Sequence, residues 1–185
     1  MRNLMKIGIS GAGGVGKTTL IRKLAPFLEH TVIPDVIDTV LEERGYRSFK
    51  DVSEQEEHID IRLRALERKI ALERGSERFI SDKTVCDYYA YWLLRSSAFA
   101  TREQNFFFHS RVREHIGIYD KILIPRFGLF ALEDNGLRSV DYFHQCRVHC
   151  LIKGIYLQEG SSFKEVVHTL EDSAEKVARD FHLLS

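Results

Sequence analysis

The stretch Lys6-Ile-Gly-Ile-Ser-Gly-Ala-Gly-Gly-Val-Gly-Lys-Thr-Thr19 joins a short apolar strand to a glycine-rich turn and the start of a helical pattern. Its centre, Gly11-x-x-x-x-Gly16-Lys17-Thr18, is a P-loop motif. Such a loop points successive backbone N–H groups at nucleotide phosphates, at the positive end of the following helix. Lys17 adds a positive charge at the transferred phosphate, and the Thr18 hydroxyl is a magnesium ligand. The residues expected to contact the nucleotide here are Gly11, Ala12, Gly13, Gly14, Val15, Gly16, Lys17, Thr18 and Thr19.

Composition restricts the classes of partner. The chain has 185 residues, enough for one domain (1–185) that buries a core without metals or disulfides. Its 27 basic and 27 acidic side chains balance, so the charge provides no general attraction to nucleic acid or to an anionic membrane. The odd count of three cysteines, with no secretory leader recognised before Met5, predicts reduced thiols in a cytoplasm. No apolar run is long enough to span a bilayer.

Strand-like and helix-like segments alternate along the chain, which predicts a parallel sheet covered by helices, a three-layer α/β/α fold. The predicted strands are residues 6–10, 31–34, 79–81, 121–125 and 155–157. The predicted helices follow the P-loop or cover 38–44, 53–75, 85–94, 103–116, a segment from about 141, and a last segment from 162. Two Ser-x-x-Glu sequences, at Ser53 and Ser162, are interpreted as capping boxes that begin helices.

Three classes of P-loop protein are disfavoured by missing features. A GTPase switch needs D-x-x-G and N-K-x-D sequences, and neither occurs. ATPases that position cargo or partition DNA carry a second lysine where this chain has Ala12. Machine-type ATPases need a helical lid domain, for which too few residues follow the fourth predicted strand. A compact small-molecule kinase remains the best candidate.

Several segments resemble nucleoside and nucleotide kinases. The glycine spacing of the P-loop is similar, Asp35 follows the second predicted strand where those enzymes place an acid, and residues 81–91 resemble their D-R-x-x-x-D-x-x-A-Y segment, with Asp82 at the strand end. Residues 132–139 resemble a D-D-G-x-R lid segment and contain Arg138. The resemblance is to small P-loop proteins related to the nicotinamide riboside kinase domain, with thymidylate and deoxynucleoside kinases as neighbours.

This resemblance implies a five-stranded parallel sheet in the order 2-3-1-4-5 and transfer of phosphate from ATP, with Mg²⁺, to a nucleoside, a nucleoside monophosphate or a related ribosyl small molecule. It implies catalytic roles for Lys17, Asp35, Asp82 and Arg138 and a metal site at Thr18 and Asp82. Arg126 and Arg138 bracket a lid segment at about 126–140, from which an arginine can reach the phosphates. No nucleic acid or membrane partner is expected. Homodimer formation is left open, and so is the choice between ATP and GTP as the phosphate donor.

Two departures from the family pattern keep another reading open. Lys83 stands where an arginine is usual and loses the planar, two-pronged grip on a phosphate. Asp35 stands where glutamate is commoner, so its carboxylate reaches less far toward an acceptor hydroxyl. The alternative is a nucleotide-binding regulatory module without kinase activity; a nucleic-acid-dependent ATPase is a weaker third reading because the chain lacks a basic stripe.

Overall fold

Strands and helices alternate in the computed structural model, which describes residues 5–129, 141–167 and 172–183. The strands are β1 Lys6–Ile9, β2 Thr31–Ile33, β3 Phe79–Asp82, β4 Lys121–Pro125 and β5 Lys164–Val166. The helices are α1 Lys17–Leu28, α2 Ile37–Glu43, α3 Gln55–Arg74, α4 Val85–Arg95, α5 Arg102–Ile116, α6 Tyr142–Gln158 and α7 Ala174–Asp180. None of the helices in these ranges is both long enough and apolar enough to cross a membrane.

The five strands form one sheet in the order β2-β3-β1-β4-β5, and every pairing is parallel. The predicted fold class and strand order are therefore confirmed. β1 lies at the centre, with Ile9 opposite Asp82 of β3 on one side and opposite Leu123 of β4 on the other. This register brings the end of β1, and the loop that follows it, beside the ends of β3 and β4.

Two hydrophobic clusters lie on opposite faces of the sheet. The larger one includes Leu66 of α3, Trp92 of α4 and Ile152 of α6. The smaller one joins side chains of β1 and β3 to Leu20 of α1 and Val177 of α7. Helices therefore cover both faces of the sheet, and each face has its own packed core.

The predicted fifth strand is wrong. Residues 155–157 lie inside α6, where Ile152, Ile155 and Tyr156 are buried and Leu157 is 71% exposed, as the 3.6-residue period of a helix requires. The fifth strand is instead β5, and Lys164–Val166 pairs with β4 at the edge of the sheet.

Both predicted capping boxes are wrong as well. Residues 162–165 do not begin a helix, because pairing with β4 draws Lys164 and Glu165 into β5. At the start of α3 the N-cap is Glu54 without a side-chain cap, and the Ser53 hydroxyl donates to Glu54 Oε1 at 3.3 Å. The last helix, α7, begins later than predicted, and Ser173 caps it by accepting the N–H of Lys176 at 3.1 Å.

Candidate active site

The P-loop connects the central strand to the first helix and lies at the carboxyl edge of the sheet, where ligands bind in open parallel sheets. Gly14 and Gly16 adopt positive φ angles of 77° and 89°, a conformation that a side chain disfavours. Gly16 is the residue before α1, so the loop amides gather at that helix's positive end. This is the geometry expected for a phosphate cradle.

Lys17 is buried at the first position of α1 and bends back over the loop. Its Nζ donates to the carbonyl oxygens of Gly11 at 2.7 Å and Ala12 at 2.6 Å. The ammonium group is therefore held directly beside the loop that the sequence predicts to bind phosphates. A bound phosphate would compete with these carbonyls for the same donors.

Asp87 of α4 is a fully buried carboxylate beneath the P-loop. It accepts the Ser10 hydroxyl at 2.6 Å and the Gly11 N–H at 2.8 Å, which are the first groups of the loop. It also accepts the Thr84 N–H and hydroxyl, both at 2.9 Å. The sequence comparison included Asp87 in the segment 81–91 but assigned it no role, and its position shows that it supports the loop from below.

Thr18 and Asp82 lie together at the mouth of the loop. The Thr18 hydroxyl donates to Asp82 Oδ2 at 3.5 Å, and both side chains are accessible from solvent. A hydroxyl and a carboxylate are hard oxygen ligands of the kind that Mg²⁺ takes beside phosphate oxygens and water. The pair therefore fits the magnesium site that the sequence predicts.

Asp35, just after β2, forms an ion pair with Lys83, which follows β3. Asp35 Oδ1 also accepts the Tyr88 hydroxyl at 2.7 Å and the Ile37 N–H at 3.2 Å. Burial raises the pKa of Asp35, but the charge and hydrogen bond of Lys83 and the bonds from Tyr88 and Ile37 outweigh it and lower the pKa to about 2. Asp35 is thus a firmly ionised carboxylate.

Lys83 adopts a positive φ of 62°, which is strained for a residue with a side chain. Its backbone N–H donates to Ile9 O of β1 at 3.0 Å, and its carbonyl accepts the Ser81 hydroxyl at 3.1 Å. Burial lowers the pKa of Lys83, but the charges of Asp35, Tyr91 and Asp87 and the hydrogen bond to Asp35 together outweigh this effect, so the net pKa lies well above the usual value. Strained backbone of this kind is commonest at functional sites.

A narrow cleft lies next to this ion pair. Its walls are formed by side chains of α2, α3, α4 and α5 together with Lys83: Ile37, Arg62, Lys83, Tyr88, Tyr91 and Phe108. The cavity measures ≈ 20 Å³, room for about one water molecule. An acceptor molecule in this place would have to widen the cleft.

Lys69 of α3 is fully buried behind the two strand ends that carry Asp35 and Asp82. Its Nζ donates to Pro34 O and Asp82 O, both at 2.8 Å, and lies 3.3 Å from Ile33 O. Burial lowers the pKa of Lys69 to about 8, against the opposing effect of nearby carboxylates. A lysine within a helical pattern indicates a solvated position, so the burial of Lys69 could not be predicted from the sequence.

The predicted arginines are only partly within the described residues. Arg126 directly follows β4, is exposed, and has its Nε 3.9 Å from Glu165 Oε1. Arg138 and most of the predicted lid segment, 130–140, lie outside the described residues. One further contact was not foreseen: Gln145 Oε1 of α6 accepts the Gly13 N–H at 2.9 Å.

The aromatic residues after β3 divide between core and cleft. Trp92 is fully buried, donates to Asn105 Oδ1 at 2.8 Å and stacks on Phe108 with ring centroids 4.3 Å apart. Tyr91 is partly exposed and lines the cleft. Trp92 is therefore a packing residue, whereas Tyr91 lies in the wall of the cleft.

A family model described as an AAA domain matches residues 6–172, which is most of the chain. The chain belongs to this AAA domain family. That description does not agree with the exclusion of machine-type ATPases on chain length, so the length argument carries no further weight. A search of curated proteins found no sequence match to this AAA domain chain.

Solved structures similar to this member of the AAA domain family include kinases. NadR protein in complex with NR superposes with a TM-score of 0.68 at 15% identity, over 100% of this chain and 53% of the NadR chain. Deoxyadenosine kinase from M. mycoides with bound dATP gives 0.64 at 13% identity, over 96% and 100% of the two chains. Thymidylate kinase from Ehrlichia chaffeensis gives 0.54 at 16% identity, over 97% and 95%. The chain thus spans about half of NadR, and the predicted kinase-like P-loop fold is confirmed.

Proposed function

We propose that this chain is an ATP- and Mg²⁺-dependent kinase that phosphorylates a nucleoside, a nucleoside monophosphate or a related ribosyl small molecule. The observation that carries the proposal is the placing of three groups at one edge of the sheet. These groups are the P-loop with Lys17, the Thr18–Asp82 oxygen pair, and the Asp35 carboxylate beside a cleft. The kinase folds to which the chain is similar support this choice over other P-loop activities.

In this proposal the protein contributes placement and charge. Lys17 and the loop amides hold the phosphates and balance the charge that develops on the transferred group. Mg²⁺, held by Thr18 and Asp82, would neutralise phosphate oxygens when bound. Phosphoryl transfer needs little covalent chemistry from the protein, so a preorganised loop of this kind accounts for much of the required catalysis.

Asp35, which pairs with Lys83 in the wall of the proposed acceptor cleft, is a carboxylate that can accept a hydrogen bond from an acceptor hydroxyl. Its pKa of about 2 keeps it ionised at neutral pH, which suits orientation of a hydroxyl more than removal of its proton. Arg126 and Arg138 are proposed to approach the phosphates when the lid segment closes. We further propose one domain over 1–185 and a cytoplasmic location; homodimer formation stays a prediction.

A phosphoryl-transfer screen tests the proposal. The assay combines ATP, Mg²⁺ and a panel of deoxynucleosides, their monophosphates and nicotinamide riboside, with an acceptor-free blank. We expect turnover of at least one acceptor, and a loss of at least about 100-fold in Lys17→Ala because a transition-state charge contact is removed. Arg22→Ala, an exposed position on the same helix, is the matched control and is expected to retain full activity.

The second candidate is a nucleotide-binding regulatory module, which needs no acceptor. The small volume of the cleft and the closed Asp35–Lys83 ion pair favour it. Tight nucleotide binding that Lys17→Ala abolishes, combined with no transfer to any member of the panel, would support this candidate and contradict the kinase.

A further inference from the structure

Arg62 of α3 is a charged side chain whose guanidinium pairs with no anion in the part of the chain that the structure describes. It is only 8% exposed, and its Nε is fully buried without a hydrogen-bond partner. Among the residues that the structure describes, it forms no salt bridge. Its Cζ lies 4.1 Å from the centroid of the Phe49 ring.

An unpaired buried guanidinium is unusual in a folded protein. Charged groups are almost never buried unless they are paired or serve a ligand. Burial lowers the pKa of Arg62 to about 10, with nearby Tyr91 opposing and Arg95 adding to this decrease, so Arg62 remains ionised at neutral pH. An aromatic face cannot replace an anion, because it satisfies no N–H donor.

The position of Arg62 indicates where an anion would bind. Arg62 lines the cleft beside Asp35 together with Lys83, so two cationic side chains face the same narrow space. The Tyr91 ring lies 5.5 Å from Lys83 Nζ in the same wall. Among the described residues, the carboxylate in contact with Lys83 is that of Asp35. Because this carboxylate is already paired with Lys83, the charge of Arg62 is left unbalanced.

We infer that the acceptor carries a phosphate monoester, which Arg62 binds in this cleft, and this inference rests on the proposed kinase function. A planar guanidinium recognises phosphate oxygens through two parallel N–H bonds. A nucleoside monophosphate is thus favoured over the neutral nucleosides of the proposed panel. Tyr91, which is partly exposed in the cleft wall, provides an aromatic face for the rest of the molecule.

The chemistry of the step agrees with this choice. The second pKa of a phosphate monoester is about 6, so its oxygen is already ionised at neutral pH. That oxygen attacks the γ-phosphorus of ATP, and a new P–O bond forms. The bond from this phosphorus to the β,γ-bridging oxygen breaks, and its electron pair leaves with ADP. No proton has to be removed, so the ionised Asp35 is not required as a base.

The test compares three matched pairs by isothermal titration calorimetry and by phosphoryl transfer: thymidine with dTMP, deoxyadenosine with dAMP, and nicotinamide riboside with its mononucleotide. Binding is measured in the presence of a non-hydrolysable ATP analogue. We expect one monophosphate to bind at least about tenfold more tightly than its unphosphorylated partner, and Arg62→Gln to remove that advantage. Arg62→Lys keeps the positive charge but lacks the two parallel N–H donors of the guanidinium, so it is expected to retain part of the affinity advantage of the monophosphate.

The control is Arg64→Gln, an exposed arginine on the same helix that pairs with Asp60. It is expected to bind the monophosphate like the unmodified chain, and thermal unfolding of every variant verifies folding. Preferred binding of the unphosphorylated partners, or equal monophosphate binding by folded Arg62→Gln and Arg64→Gln, would overturn the inference. Transfer to an unphosphorylated acceptor would still support the kinase. Arg62-dependent monophosphate binding without any transfer would refute the kinase and the role of this ligand as its acceptor, and would leave Arg62 as a phosphate-binding residue.

Discussion

Asp87 shows how a single buried side chain can organise a binding loop. Its two carboxylate oxygens receive donors from Ser10 and Gly11 at the start of the P-loop and from Thr84 before α4. These donors satisfy the hydrogen-bonding capacity of a carboxylate that would be costly to bury without partners. The loop therefore starts from an anchored point, and its conformation does not depend on the glycines alone.

Asp35 is expected to make the stability of the protein depend on pH. Its pKa is about 2 in the folded chain, against an ordinary value of 3.8. The unfolded chain therefore binds the proton more readily, and the contribution of Asp35 is present above about pH 4 and disappears as the pH falls toward 2. The shift corresponds to about 2 kcal/mol.

Asp35→Asn removes this charge while keeping the shape of the side chain. Urea unfolding at several pH values is expected to show a variant about 2 kcal/mol less stable at pH 6, with the difference shrinking as the pH falls from about 4 toward 2. Asp38→Asn, at an exposed position in α2, is the control and should change stability by less than about 1 kcal/mol. A difference for Asp35→Asn that is independent of pH would contradict the assignment.

Helix α3 carries several buried charged side chains on one face. Arg62, Lys69 and Glu73 are all buried, and their spacing of seven and four residues puts them on one face of the helix. Glu73 accepts the Tyr119 hydroxyl at 2.8 Å and lies 2.7 Å from His115 Nε2. This face of α3 therefore links the cleft at one end with a buried polar network at the other.

Lys69→Met is expected to loosen the ends of β2 and β3. The ammonium group bonds carbonyls on both strand ends, and its removal leaves those carbonyls buried without a donor. We expect a loss of about 3 kcal/mol in the free energy of unfolding and a lower kcat with little change in KM for ATP, because Asp35 and Asp82 lose a common anchor.

The matched control for this variant is Arg68→Met, one residue away on the exposed side of α3, where Arg68 pairs with Glu43. An exposed ion pair contributes at most about 1 kcal/mol. Urea unfolding and steady-state kinetics of both variants decide the matter. If Lys69→Met matches Arg68→Met in stability and in kcat, Lys69 does not position the strand ends.

The sheet divides the protein into two cores that support the site from opposite faces. Ile7 of β1 belongs to the cluster under α1, and Ile61 of α3 belongs to the larger cluster on the other face. Both side chains are fully buried. Because the sheet separates the two cores, a cavity made in one core should lower the stability of the protein independently of a cavity made in the other.

Ile7→Val and Ile61→Val are expected to cost about 0.5–1.5 kcal/mol each, since each removes one buried methylene. The double variant should lose the sum of the two within about 0.5 kcal/mol, because the sites share no partner across the sheet. Chemical denaturation of the two single variants and the double variant measures this. Leu72→Ala, at an exposed site on α3, is the control; a coupling above about 1 kcal/mol between the two isoleucines would show that the cores are not independent.

Much of this protein could be inferred from local pattern. The strand–loop–helix of the P-loop lies within 14 consecutive residues, so its geometry follows from the glycine spacing and the apolar strand before it. The meeting of Thr18 with Asp82 follows as well, because parallel strands present their carboxyl ends at one edge. The strand order was implied by the resemblance to nucleoside and nucleotide kinases and does not follow from local pattern. The fifth strand was missed because a three-residue apolar run suits a buried helix as well as a strand.

Other features needed the packed structure. Arg62, Lys69 and Asp87 are charged residues within helices, and in a sequence such residues indicate solvent-facing positions. Their burial depends on which helix faces pack against the sheet edge, and their partners are mostly carbonyls, amides and rings from distant segments. Motif spacing along the chain predicts the phosphate cradle, whereas the charges around the acceptor cleft arise from contacts between elements far apart in sequence, which no local pattern records.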